Sequence, residues 1–169
     1  MIEFLSDTSA WIRNVNGAAE MRAELPAARA RWQAQGIESY DIQVKGFVPR
    51  GGLLEAVLSV RHNRLAAVAA RQNPWDESSP WVPVESQNWD LPFCSYRQLT
   101  IPGLFAMVEQ DLQTADFSAE ALAVSFDPVY GFVTRYDHRW GCRPGVFNPA
   151  CSECCREYTF SHFRVPDRP

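Results

Sequence analysis

Residues 121–140 are ALAVSFDPVYGFVTRYDHRW, and this stretch decides the fold. Apolar Val124 and Phe126 come before residues 127–131, Asp-Pro-Val-Tyr-Gly, and Phe132 and Tyr136 follow them. Proline and glycine at these places are typical of a tight turn between two antiparallel strands. The stretch therefore predicts a hairpin, and a sheet assembled from hairpins is antiparallel.

Three further segments carry strand signals. In SYDIQVKGFVP, residues 39–49, apolar and polar side chains alternate with the period of two expected of a half-buried strand. LLEAVLSVRHNRLAAVAA, residues 53–70, predicts two strands joined at His62 and Asn63, because asparagine tolerates the positive φ of a tight hairpin turn. EYTFSHFRV, residues 157–165, predicts a last strand.

Two helices are predicted between these strands. The alanine- and arginine-rich segment from Pro26 to Gln35 favours a helix with its proline in the first turn and with Gly36 as the stop. LTIPGLFAMVEQDLQ, residues 99–113, predicts the second helix, with Thr100 as its N-cap. Its apolar residues recur at helical spacing and point to the core, namely Ile101, Leu104, Phe105, Val108 and Leu112.

The order of elements is thus helix, three strands, helix, three strands. Hairpins combined with two helices predict the α+β class, with a single antiparallel sheet of about six strands and both helices packed on one face. We expect an N-terminal extension over residues 1–25 and one domain over residues 26–169. A chain of 169 residues with 46% hydrophobic residues is large enough to bury a core.

Composition narrows the class of protein. The formal net charge of −4 and the pI near 5.4 argue against a nucleic-acid partner, because binding phosphates needs a lysine- and arginine-rich face. The sequence predicts no membrane span, and its first residues, MIEFLSDTSAWIRNVNG, lack the basic start and long apolar core of a signal peptide. That pattern fits a cytoplasmic protein or a mature exported chain.

Residues 71–95, RQNPWDESSPWVPVESQNWDLPFCS, contain four prolines and three tryptophans without any period. The segment predicts a long loop, and long loops in compact domains are often functional or flexible. Trp75, Trp81 and Trp89 are its candidate partner-binding residues. The alternative is that these rings pin the loop onto the body of the protein.

The segments described so far resemble a bacterial family known as domain of unknown function 6174. The likeness covers roughly residues 30–165. It rests on Trp32 and Gly36 before the first strand, on SVRHNRLAAV, on LTIPGLFAMV, and on VSFDPVYGFVTRYD followed by EYTFSHFRV. The resemblance implies a small exported or lipid-anchored protein. It does not imply any catalytic residue or activity for this chain. The chain differs from the family pattern in reading GFVP after the first strand and in having a cysteine-rich loop before the last.

That loop, residues 142–155, holds four of the five cysteines, Cys142, Cys151, Cys154 and Cys155, while Cys94 precedes the second helix. The loop joins the ends of two antiparallel strands, so its bases lie close enough for a disulfide. All five cysteines are disulfide candidates, and an odd number leaves at least one free or bonded outside the chain. Connectivity is open at this point.

A structural zinc site is the alternative for the same loop. Zinc prefers four thiolate or imidazole ligands, and the candidates are Cys142, Cys151 and Cys154 with His138 or His162. The loop has no second Cys-x-x-Cys pair, and Cys155 follows Cys154 directly, so the zinc pattern is incomplete. A redox centre is less favoured, because the motif does not begin a helix.

The sequence contains no recognised catalytic constellation, so no catalytic residue is proposed and the cofactor expectation is none, or zinc in the alternative. We expect a non-enzymatic bacterial protein, located outside the cytoplasm, that binds a protein partner or serves as an accessory subunit. A small metalloprotein is the competing expectation.

Overall fold

The computed structural model describes residues 14–48, 52–91, 94–117, 120–140 and 155–166. It has the α+β architecture that the sequence predicts, with helices α1 (Asn14–Ala34) and α2 (Ile101–Thr114). The strands are β1 (Tyr40–Val48), β2 (Gly52–Arg61), β3 (Arg64–Arg71), β4 (Trp81–Pro83), β5 (Asp90–Leu91), β6 (Cys94–Ser95), β7 (Ala121–Phe126), β8 (Val133–Arg139) and β9 (Cys155–Arg164). Among these residues, no helix is long and apolar enough to cross a membrane.

The main sheet has seven antiparallel strands in the order β4-β3-β2-β1-β9-β8-β7, and β5 and β6 pair separately. The prediction of about six strands is low by one, because the segment predicted as a loop contributes β4 as an edge strand. Arg71 pairs with Trp81 in this register. Pro80 and Pro83 interrupt any alternation there, and proline is tolerated at a sheet edge, where one side of the strand needs no ladder bonds.

Helix α1 begins twelve positions before the predicted start at Pro26, which lies inside it. The helix therefore runs across the predicted boundary between residues 25 and 26. The proline faces solvent, while one side of the helix buries residues three and four positions apart, namely Ala18, Met21, Leu25, Ala28 and Trp32. Burial of this stripe outweighs the roughly 3 kcal/mol that an interior proline costs.

Turn chemistry fixes the two hairpins as predicted. Asp127 Oδ1 accepts hydrogen bonds from the backbone N–H groups of Val129 and Tyr130, at 2.9 and 2.7 Å. Gly131 follows with φ of +85°, a backbone conformation that favours glycine. His62 and Asn63 have φ of 51° and 60°, as the two central residues of a type I′ turn require.

Both helices cover one face of the sheet. The side chains of Tyr40, Ile42 and Val44 point to that face and are fully buried. Tyr40 also anchors α2, because its hydroxyl accepts a hydrogen bond from the backbone N–H of Ile101 at 2.9 Å. Thr100 caps the same helix as predicted, with its side-chain oxygen accepting from Gly103 N at 3.3 Å. The hydrogen bond from Ile101 to Tyr40 therefore fixes the start of α2 relative to β1.

Replacing Gly131 by alanine should destabilise the fold by about 2–3 kcal/mol, because the added methyl group would both strain the left-handed backbone and overlap the Ala28 carbonyl oxygen of α1. Gly36 is the matched control, since its φ is +60° and an added Cβ would meet nothing within 4 Å. Gly36→Ala should cost only about 1 kcal/mol. Urea unfolding of both variants measures the difference, and equal losses would contradict the close packing of Gly131 on α1.

Candidate functional site

An aromatic patch, formed by Phe47, Trp75 and Trp81, lies on the face of the sheet that the helices leave uncovered. Trp75 is 72% exposed, Phe47 38% and Trp81 37%. The rings of Phe47 and Trp75 are in contact, with centroids 5.9 Å apart. Single exposed apolar residues are ordinary, but neighbouring aromatic rings at the surface are typical of interaction sites.

Arg71 holds the tryptophan loop, residues 72–80, against the sheet. Its guanidinium forms a buried ion pair with Glu55, with 2.8 Å between Nε and Oε2. The same group donates to the carbonyl oxygens of Glu77 and Ser79, at 2.6 and 2.9 Å. The Trp81 ring covers it at 4.4 Å. One side chain thus joins the sheet, the loop and the edge strand.

The loop is also closed by hydrogen bonds of its own. Asn73 N donates to Ser79 Oγ at 2.8 Å, and Ser79 N donates to the Asp76 carbonyl at 2.9 Å. Trp75 N donates to Asn73 Oδ1 at 3.1 Å. Gln72 N donates to the Pro80 carbonyl at 3.1 Å, which closes the loop at its base. Trp75 is therefore presented on a backbone that is already ordered.

Trp89, the third candidate partner-binding residue, is buried, unlike Trp75 and Trp81. Its side chain is 9% exposed, and its indole N–H donates to the Val84 carbonyl at 3.0 Å. The guanidinium of Arg97 covers the ring at 5.3 Å. Trp89 therefore packs this segment against the rest of the domain, while Trp75 and Trp81 remain accessible to solvent.

The cysteine predictions fall largely outside the described residues. Cys142, Cys151 and Cys154 lie there, so their disulfide and zinc assignments stay predictions. Cys155 begins β9 and pairs in register with Arg139. Cys94 is a free, buried thiol on β6, and its burial raises the pKa of the thiol above the ordinary value.

A buried polar cluster surrounds His138 on the helix-covered face. Its Nε2 lies 2.8 Å from Glu120 Oε2, and its Nδ1 lies 3.3 Å from Asp111 Oδ2. The Tyr136 hydroxyl donates to the same oxygen of Asp111. Because each ring nitrogen faces a carboxylate, the protonated imidazole, which donates from both nitrogens, fits this site best.

Burial opposes the charged form of His138, but the hydrogen bonds and charges of Asp111 and Glu120 outweigh it and raise the pKa of the imidazole. Both nitrogens are occupied, so coordination of zinc by His138 would require breaking one of these contacts. His138 pairs in register with Arg156, six positions from His162 along β9. The two histidines are therefore about 20 Å apart and cannot serve one ion together.

Sequence reasoning did not identify the residues that position the aromatic patch and the His138 cluster. Phe47 follows the ordinary alternation of β1, and Arg71 precedes the proline-rich segment without any motif. Asp111 and Glu120 are far from His138 along the chain, in α2 and just before β7. Among the described residues, no group of three or more histidine, cysteine, aspartate or glutamate side chains is arranged to hold a metal ion.

Comparison of the chain with protein-family models, curated proteins and solved structures found no match. The resemblance to domain of unknown function 6174 therefore remains an expectation from the sequence.

The stability contributed by the His138 cluster should fall as pH rises. The pKa of His138 is raised in the folded protein. The stabilisation is therefore fully present below the ordinary histidine pKa of about 6.5, and it disappears as the pH rises through the pKa of the folded state. Urea unfolding between about pH 6 and pH 9 should show a decline that His138→Gln flattens. The exposed His162 is the control, and an identical decline in His138→Gln and His162→Gln would contradict this assignment.

Proposed function

We propose that this protein is a non-enzymatic accessory protein that binds a protein partner through its aromatic patch, Phe47, Trp75 and Trp81. The observation that carries the proposal is the 72% exposure of Trp75 on a loop whose backbone is hydrogen-bonded at both ends. An indole ring that serves only packing would be buried, as Trp89 is.

Pre-organisation is the physical reason to connect this loop with binding. Ordering a mobile side chain or loop at an interface consumes about 0.5–1.5 kcal/mol for each flexible side chain. Here the Arg71–Glu55 ion pair and the loop's own bonds have already met that cost during folding. Tryptophan is also among the residues that contribute most to protein–protein affinity when a partner desolvates them.

The charges beside the patch indicate the kind of partner face it fits. Asp76 and Glu77 are exposed next to Trp75 in the tryptophan loop. Hydrogen bonds from the Ser78 hydroxyl and backbone N–H lower the pKa of Asp76, so its carboxylate is charged at neutral pH. A complementary partner has an apolar pocket for the indole ring and basic residues at its rim.

We also propose that the protein works outside the cytoplasm. The support is the cluster of cysteines in residues 142–155, which favours disulfides in an oxidising compartment, together with the resemblance to an exported family. Zinc bound by these cysteines is the competing proposal, and the occupied nitrogens of His138 weigh against that residue as a ligand.

Trp75→Ala should weaken partner binding by about 30-fold or more, which corresponds to about 2 kcal/mol, because it removes the most exposed ring of the patch. The fold should change by less than about 0.5 kcal/mol, since the lost side chain makes few buried contacts. The experiment is quantitative affinity capture from cells that express the full chain, followed by titration of each purified partner.

Val129→Ala is the control, because Val129 is 65% exposed and lies in the β7–β8 turn. Partners that bind the wild type and Val129→Ala but not Trp75→Ala support the patch. If every captured protein binds Trp75→Ala and Phe47→Ala with unchanged affinity, the patch is not the contact surface.

Thiol and metal content decide between the disulfide and zinc proposals. We expect no bound zinc and one free thiol per chain, Cys94, which should react with a thiol reagent only after denaturation because it is buried. Elemental analysis beside a thiol count under non-reducing, denaturing conditions measures both quantities. About one zinc per chain with most thiols free would overturn the disulfide proposal.

A further inference from the structure

The open face, the side of the sheet that the helices leave uncovered, carries unlike charges at its two ends. The aromatic patch and the tryptophan loop occupy one end, where Asp76 and Glu77 are exposed. Beneath the loop, the buried pair of Arg71 and Glu55 is neutral overall. The aromatic patch and these two exposed carboxylates together form the acidic end.

Arginines gather at the opposite end of the same face, the arginine end. The register places Arg61 of β2 opposite Arg64 of β3, and Asp41 of β1 opposite Arg164 of β9. Asp41 forms ion pairs with Arg61 and Arg164, at 2.8 and 3.0 Å, and the Arg164 side chain is 76% exposed. Even with the exposed Glu38, which precedes β1, three arginines face two carboxylates here among the described residues.

The two ends are well separated, and the surface between them is low. Asp41 and Phe47 both point to the open face, because the residues that alternate with them on β1 are buried. Their separation along the strand is about 20 Å. The exposed Lys45 lies between them. Short side chains fill much of the remaining surface, namely Ser59, Ala67, Ala69, Thr159 and Ser161. Such side chains allow a second sheet to approach to about 10 Å.

A surface with opposite charges at its ends is complementary to a copy of itself related by two-fold symmetry. A two-fold axis that crosses the strands midway would bring the acidic end of one copy onto the arginine end of the other. Arg64 and Arg71 are the first and last residues of β3, and Arg71 donates to the Glu77 carbonyl at 2.6 Å. The axis therefore brings Glu77 of each copy to Arg64 of the other.

The exposed ring of Trp75 fits the arginine end for a second reason. Arginine already stacks on tryptophan elsewhere in this protein, with Arg71 over Trp81 at 4.4 Å and Arg97 over Trp89 at 5.3 Å. Guanidinium groups are attracted to indole faces, and the aliphatic stems of arginine cover apolar surface. The arginine end thus offers both the basic groups and the apolar surface that the aromatic patch requires.

We propose that the partner of the aromatic patch is a second copy of this chain, bound open face to open face. This inference rests on the proposed function, because it names the partner of the same patch. The open face of strands β3, β2, β1, β9 and β8 measures about 20 by 25 Å. That area is below the roughly 800 Å² that each partner buries in a standard interface, so the dimer is reversible.

Sedimentation velocity of the full chain, from about 1 μM to about 1 mM, tests the association. We expect an equilibrium between monomer and dimer that shifts to the dimer as concentration rises. Added sodium chloride should weaken the dimer, because the contacts join opposite charges at the surface. Trp75→Ala should weaken it by about 30-fold, because it removes the most exposed ring.

A charge exchange tests the symmetry of the contact. Glu77→Arg alone and Arg64→Glu alone should each weaken the dimer about tenfold or more, because like charges then meet in both contacts. An equal mixture of the two variants should form a mixed dimer with the affinity of the wild type, since each contact again joins unlike charges. Glu24→Arg is the matched control, because Glu24 is exposed on α1. Melting temperatures check that every variant folds.

Three results would overturn this inference. They are a chain that stays monomeric at about 1 mM, a dimer that Trp75→Ala leaves unchanged, and a mixture of Glu77→Arg and Arg64→Glu that associates no better than either variant. If the chain is monomeric but a different captured protein loses affinity for Trp75→Ala, this inference fails and the aromatic-patch proposal stands. If no captured protein distinguishes Trp75→Ala either, both fail.

Discussion

The pairing of the first strand with the last is the constraint on which the rest of the structure depends. β1 lies between β2 and β9, so this one ladder joins the half that contains β1–β4 to the half that contains β7–β9. The partners are more than a hundred residues apart, for example Val44 and Phe160, and closing so long a loop is entropically unfavourable. Burial on the helix-covered face of both strands compensates for it.

Close approach of the two strands is visible at Gly46. A Cβ at this position would overlap the backbone of Glu157 and the ring of Tyr158. The glycine is therefore needed for steric reasons. The same pairing thus closes the fold and brings the backbones of β1 and β9 together at this position.

Charged groups occupy very different environments on the two faces. On the helix-covered face, His138 lies between Asp111 and Glu120. The positive charge of the imidazolium and the negative charges of the carboxylates compensate one another where they are buried. On the open face, Arg71 and Glu55 form a buried pair under the tryptophan loop. Such pairs add little net stability compared with apolar packing, but breaking one is costly, so they position the segments they join. The loop that presents Trp75 is positioned in this way.

Local chemistry in the sequence was enough to predict most of the helices and strands, though not β4, β5 and β6. The turn at residues 127–131, the positive-φ pair at His62 and Asn63, the cap at Thr100 and the alternation of the strands all act over a few residues, so they were predicted correctly. Helix α1 was placed too late because Pro26 was weighed as a local signal. Its stripe of buried residues, which overrides the proline, becomes decisive only when the sheet is present to cover it.

The sequence by itself determined the class of fold, the hairpins and the capped second helix, because turn, cap and periodicity effects are short-range. Only the tertiary structure decided which tryptophan is buried and which is exposed, since Trp75 and Trp89 have similar neighbours along the chain but different packing. It also decided that His138 meets Asp111 and Glu120. The physical reason is that ion pairing and burial depend on distances in space, which strand order and register set.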